Sequence, residues 1–214
     1  MTYARMRWQR GMTLPELMVV CLVMFIVLAA VSGIYYGSMR LYRRGEPANT
    51  AARKVAWALA RMAPDIQQGI SVTLPNAEKT EARIVTPDKQ QQVGGPTFYN
   101  VVSLTPTGDP YLVRGNEIRY YRGTIGGAPD AHGSYLWRRV VHPDGTSLAP
   151  TLIADNVVDN PPPAGATQPR PMFDYWPDPS FYKCVLVTVT VREATGSQVS
   201  TVPMSTWVAL RNQG

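Results

Sequence analysis

Glu16 is the residue whose placement asks for chemistry. It stands one position before residues 17–39, a run of 23 residues with no formal charge. A carboxylate beside so long an apolar stretch needs a counter-charge, because burying an unpaired charge is costly. The chemistry open to it is ion pairing with a cation in a poorly polarisable setting. No acid precedes it, and the upstream charges are Arg5, Arg7 and Arg10.

Elsewhere the reactive residue types are sparse. His132 lies in a glycine-rich loop and His142 beside Pro143. There is no His-x-x-x-His, no Cys-x-x-Cys and no nucleophile elbow, so no catalytic residue and no metal centre is indicated. Cys21 falls in the apolar run and Cys184 in a strand-like segment, which speaks against a disulfide between them. Residues 123–127, Gly-Thr-Ile-Gly-Gly, lack a following helix or a Lys-Ser/Thr pair, so they read as a mobile turn rather than a phosphate cradle. Residues 155–160, Asp-Asn-Val-Val-Asp-Asn, offer hard oxygens, but their spacing is not that of an EF-hand loop, and a polar turn between strands is the plainer reading. Arg119, Arg122, Arg138 and Arg139 could form a basic strip on adjacent strands, weighed against an ordinary solvated sheet face. Tyr99, Tyr120, Tyr121, Tyr135, Trp137, Tyr175 and Trp176 fit packing on a sheet face or a helix–sheet interface. Nothing here implies a cofactor or an enzyme.

The elements that must position Glu16 come next. At about 1.5 Å per residue, the uncharged run makes a helix roughly 35 Å long, enough for the ~30 Å hydrocarbon core of a bilayer. Beyond it, Ala52, Val55, Leu59, Met62 and Ile66 recur every three or four residues and mark one helical face. Arg53, Lys54 and Arg61 lie off that stripe and are expected to face solvent. Pro47, in Gly45-Glu46-Pro47, predicts a kink or short break. Pro64 threatens the last turn, and Gly69 is a plausible stop.

After Gly69 the pattern becomes alternation. Residues 83–86, 97–104, 117–122, 134–141, 151–154, 183–192 and 199–210 read as strands. Val185, Val187, Val189 and Val191 share one face. Ala194-Thr195-Gly196-Ser197 is a turn, and Pro203 favours an edge or a bulge. Residues 160–171 are a proline-rich loop that interrupts the sheet region without dividing a domain. The predicted fold is α+β: a long N-terminal helix, one half membrane-spanning and one half amphipathic, packed on a mainly antiparallel sheet.

The chain has 214 residues and a net charge of +6. Removing the three arginines before Gly11 lowers that to +3, too little to argue for nucleic-acid binding. The 19 prolines and 17 glycines imply many turns after the helix.

The order Arg10-Gly11-Met12-Thr13-Leu14-Pro15-Glu16-Leu17, with its basic leader and apolar run, resembles the N-terminus of type IV prepilins and type II secretion pseudopilins. Met12 stands where Phe is usual, and Pro15 fits a first helical turn. The resemblance implies cleavage after Gly11 by prepilin peptidase, N-methylation of Met12, and a role for Glu16 as the fifth mature residue. It implies residues 1–11 as leader, 12–39 as transmembrane and filament-core helix, 40–69 as amphipathic extension and 70–214 as a β-rich globular domain. The implied partners are the peptidase, other pilin or pseudopilin subunits, an inner-membrane assembly platform and, before assembly, membrane lipid. Nucleic acid is a weaker candidate.

Residues 136–139 (Leu-Trp-Arg-Arg), 152–157 (Leu-Ile-Ala-Asp-Asn-Val) and 206–212 (Thr-Trp-Val-Ala-Leu-Arg-Asn) are similar to segments of W-type minor pilins and J-type minor pseudopilins. The expected place is the cytoplasmic membrane, with the basic N-terminus inside and the globular domain outside, and then an extracytoplasmic filament. The competing reading is a signal-anchored extracytoplasmic binding protein outside any filament.

Overall fold

The computed structural model describes residues 13–91, 98–175 and 184–211. Among these residues, one helix, α1 (Leu14–Gln67), is followed by thirteen strands. In chain order these are β1 (Ser71–Thr73), β2 (Glu81–Pro87), β3 (Lys89–Gln91), β4 (Phe98–Asn100), β5 (Val102–Leu104) and β6 (Pro110–Leu112). Then come β7 (Arg114–Gly123), β8 (Tyr135–Val141), β9 (Thr151–Ala154), β10 (Val157–Val158), β11 (Phe173–Tyr175), β12 (Cys184–Thr195) and β13 (Gln198–Ala209). The chain forms two compact units, the first ending at Gly45 and the second beginning at Glu46.

The expected break at Pro47 does not occur, because α1 is continuous through it and through Pro64. A proline inside a helix removes one backbone donor and crowds the preceding turn, and the other helical bonds carry the chain across. The helix ends at Gln67, where Gln68 N–H donates to Pro64 O at 3.0 Å and Gly69 N–H to Ile66 O at 3.0 Å. Gly69 is glycine for space: a Cβ there would lie 2.8 Å from Ile84 Cγ2.

The second half of α1 buries Ala51, Val55, Ala58, Leu59, Met62 and Ile66. The stripe therefore starts at Ala51, while Ala52 is only half-buried. Lys54 corrects the expectation more sharply. Its ammonium donates to Asp155 Oδ1 and Glu193 Oε1, both at 2.5 Å, tying the helix to the turn after β9 and to β12. Burial works to lower the Lys54 pKa, but the hydrogen bonds it donates to Asp155 and Glu193, with their charges, outweigh it and leave it raised.

All strand pairs are antiparallel. β1, β2, β7, β8 and β9 lie side by side in that order. In the second sheet, β10 and β11 both pair with β12, and β13 also pairs with β12 over its whole length. Val185, Val187, Val189 and Val191 are fully buried and join the helix stripe, Ile84, Tyr120 and Leu136 in one core. Thr188 and Thr190 on the opposite face are buried too. Thr190 Oγ1 donates to Asn160 Oδ1 at 2.7 Å. Pro203 sits in register opposite Thr190 on β13, an edge strand, with no bulge. Gly196, at φ 61, takes the first turn position between β12 and β13, where a left-handed conformation suits glycine.

The strand expected over residues 97–104 is two strands, with Thr97 outside the described residues. β4 pairs with β3 and β5 with β6. The chain changes partners at Val101, whose N–H donates to Asp88 O and whose carbonyl accepts from Val113 N–H, both at 2.9 Å.

Candidate functional site

Helix α1 starts with Thr13 at its N-cap and Glu16 three residues later. Glu16 Oε2 accepts from Thr13 N–H at 2.8 Å and from Thr13 Oγ1 at 2.9 Å. This is the carboxylate half of a capping box, satisfying a donor that the helix leaves free. Pro15 costs no hydrogen bond here, since a first-turn N–H has no helical acceptor. The carboxylate is solvent-facing and, among the described residues, is engaged through Oε2. Thr13 was overlooked in the sequence as a partner for Glu16, although the Thr-x-x-Glu spacing signals it. Gly11 and Met12, expected at the processing site, lie outside the described residues.

Beyond Glu16, the large apolar side chains of residues 17–28 are exposed on every side of α1, as are Val31, Ile34, Tyr35, Tyr36, Leu41 and Tyr42. By length and composition this helix can cross a membrane, and none of its most apolar window is buried against the chain. A helix apolar all round belongs in lipid or among other helices. Cys21 is exposed on it and Cys184 lies half-buried in β12, both as free thiols.

The expected basic strip forms only in part: Arg119 and Arg139 stand opposite each other on β7 and β8, while Arg122 and Arg138 leave it. Successive residues of a strand face opposite ways, so Arg138 and Arg139 part company. Arg138 faces the helix, where its Nε donates to Asp65 Oδ2 at 2.7 Å. Arg122 is buried, its guanidinium bonded to Gly133 O at 2.8 Å and ion-paired with Asp159. Arg119 pairs with Glu117 at 2.5 Å.

Residues 155–160 do not converge either: Asp155 is held by Lys54, Asp159 by Arg122, and Asn160 turns inward. The Arg122 hydrogen bond, more than its charge, holds the Asp159 carboxyl below the usual range. Asn156, at φ 56, takes the left-handed position that asparagine tolerates. Among the described residues, no three His, Cys, Asp or Glu side chains are grouped to hold a metal.

The turn at residues 123–127 is well bonded. Thr124 N–H donates to Ala128 O, Gly127 N–H to Thr124 O, Trp137 Nε1 to Thr124 O and Tyr121 Oη to Gly127 O, at 2.9–3.0 Å. Tyr120 and Tyr121 are buried, and Tyr135, Trp137 and Tyr175 half-buried. Trp176 lies outside the described residues, and Tyr99 falls in β4.

Among the described residues, then, an exposed apolar helix long enough to cross a membrane, with one carboxylate in its first turn, leads into an α+β domain. A family model, the prokaryotic N-terminal methylation motif, matches residues 6–32. At these residues the chain is thus similar to the N-terminal signature of type IV pilin-like precursors. No curated protein and no solved structure matches the chain.

Proposed function

We propose that this chain is a minor pilin or minor pseudopilin of the W or J type, a structural subunit of a type IV pilus, a secretion pseudopilus or a related filament. One observation carries the reading: the methylation motif at residues 6–32 overlaps an apolar helix whose large side chains are exposed among the described residues. The minor role rests on the resemblance of residues 136–139, 152–157 and 206–212, which fall on β8, across β9 and β10, and at the end of β13.

In this reading residues 1–11 are a leader, kept cytoplasmic by its arginines. Cleavage after Gly11 makes Met12 the mature N-terminus, and its methylated amine stays cationic. Residues 12–39 anchor the subunit in the inner membrane until the assembly platform moves it into the filament. There, Glu16 pairs with the N-terminal amine of a neighbouring subunit. Its capping contact with Thr13 uses one carboxylate oxygen and leaves Oε1 for that amine. The apolar helices exchange lipid for one another, and the pair, formed in a dry bundle, makes loss of either charge expensive. Residues 40–69 carry the helix into the globular domain, 70–214, which forms the outer surface and selects neighbours.

Mass spectrometry of the protein purified from its own host tests this. The expected mature chain begins at an N-methylated Met12. An intact Met1, or cleavage near Ser32, would refute the assignment in favour of a signal-anchored or secreted protein.

A further inference from the structure

We propose that the outward face of the first sheet binds a carboxylate-bearing segment of a protein partner, gripped by a row of three arginines: Arg83, Arg119 and Arg139. On β2, β7 and β8, Ala82, Ile84, Ile118, Tyr120 and Leu136 are buried on the core side. The alternate residues point the other way. Arg83 stands directly opposite Arg119, and Arg119 directly opposite Arg139. Neighbouring strands are about 4.8 Å apart, so the row spans roughly 10 Å.

Like charges placed opposite one another across a sheet are unfavourable, and the chain compensates them incompletely. Arg83 Nε donates to Glu81 Oε1 at 2.8 Å and Arg119 Nε to Glu117 Oε1 at 2.5 Å. Arg139 has no ion pair among the described residues, and its Nε is buried without a hydrogen-bond partner. Its guanidinium carbon lies 5.5 Å from the centre of the Tyr121 ring. Three arginines face two glutamates, so one positive charge is left over at the end of the row.

The next row begins with Glu81, opposite the buried Tyr121, and is aromatic and apolar beyond it. Tyr121 is opposite Trp137, and Trp137 is opposite the exposed Leu152. The Trp137 ring is held by its bond to Thr124 O at 2.9 Å. Arginine beside the half-exposed, fixed Trp137 is the composition of protein-binding hot spots, with the buried Tyr121 as its floor, and a guanidinium presents paired donors that match a carboxylate. Nucleic acid fits less well. Glu81 and Glu117 flank the row, one on each side, and would repel a continuous phosphate chain, and one surplus charge releases few counterions.

The test uses the full chain in uncharged detergent and a fluorescent hexaglutamate peptide, with binding read by anisotropy. The wild type should bind the peptide, and added salt should weaken binding. Arg119→Gln and Arg139→Gln should each weaken it by roughly tenfold, while Arg53→Gln, an exposed helix arginine elsewhere, should not. Arg139→Gln should also match or exceed the wild type in Tm, because it removes a like charge. Unchanged affinity in both sheet variants overturns the proposal. So does a Tm loss above about 5 °C in Arg139→Gln, which would make that arginine a structural support. Tighter binding of a single-stranded thymidine oligonucleotide of equal charge, lost in the same variants, would put nucleic acid in the partner's place and overturn it as well.

Discussion

Replacing Asp65 with Asn should destabilise the globular domain by about 2–3 kcal/mol. Asp65 Oδ2 accepts from Tyr120 Oη at 2.6 Å and from Arg138 Nε at 2.7 Å, joining α1 to β7 and β8 with one carboxylate. Tyr120 is fully buried, and the Asp65 and Arg138 side chains are only 20% and 18% exposed. Breaking a buried pair costs about 3–5 kcal/mol, because the remaining charge is left without compensation. The residual exposure lets water screen that charge, which lowers the figure to about 2–3 kcal/mol. For a domain of this size, Tm should fall by roughly 5–10 °C in a calorimetric scan. The decisive comparison is Asp65→Asn with Arg138→Met added. If the penalty comes from a stranded guanidinium, removing it should recover part of the lost stability. A double variant no more stable than Asp65→Asn alone would refute the reasoning, as would a single variant with the wild-type Tm.

Burial, reinforced by the Asp65 carboxylate, pushes the Tyr120 phenol well above its ordinary value of 10.0, so the neutral form belongs to the folded state. The stability this contributes is complete below pH 10 and lost as pH rises above it, by about 1.4 kcal/mol per pH unit. Tyr120→Phe should flatten that slope in denaturant titrations at alkaline pH, and an unchanged slope would count against the assignment. Glu16→Leu should still be cleaved after Gly11 but fail to enter sheared filaments, with Glu16→Asp intermediate because its reach is one methylene shorter. Wild-type incorporation of Glu16→Leu would disprove the charge-pair role.

Much of the architecture was legible because it is local. The spacing of Val55, Leu59, Met62 and Ile66 encodes a helical face, and the alternation of Val185 to Val191 encodes a strand, whatever lies elsewhere in the chain. Lys54 could not be placed the same way, since its partners lie 101 and 139 residues away. The change of partner at Val101 was hidden for the same reason: its bonds run to Asp88 and Val113, and nothing in the residue types between marks them. Pro47 misled because a single missing donor reads as a break, while the neighbouring turns carry the helix past it. The basic strip was a matter of parity. Arg138 and Arg139 are consecutive and cannot share a sheet face, whereas Arg83, Arg119 and Arg139 share one only through a register that sequence does not reveal. Near the N-terminus, the Thr-x-x-Glu spacing already contained the capping contact of Glu16. Gly11 and Met12 were read from the motif alone.

The long-range ties of α1 set a schedule for synthesis. The helix is made before the strands, yet its stripe is covered by β12, and its final carbonyl, that of Gln67, accepts from Arg211 N–H at 2.9 Å. Until residues through Arg211 have left the ribosome, Val55, Met62 and Ile66 lack their final cover. Contacts so distant in sequence form slowly, and apolar surface waiting for them is prone to aggregate. A nascent chain of this kind therefore depends on whatever holds it during the delay. A stop codon even a short way upstream of Leu210 would do more than shorten a tail, since it would remove the piece that closes the core.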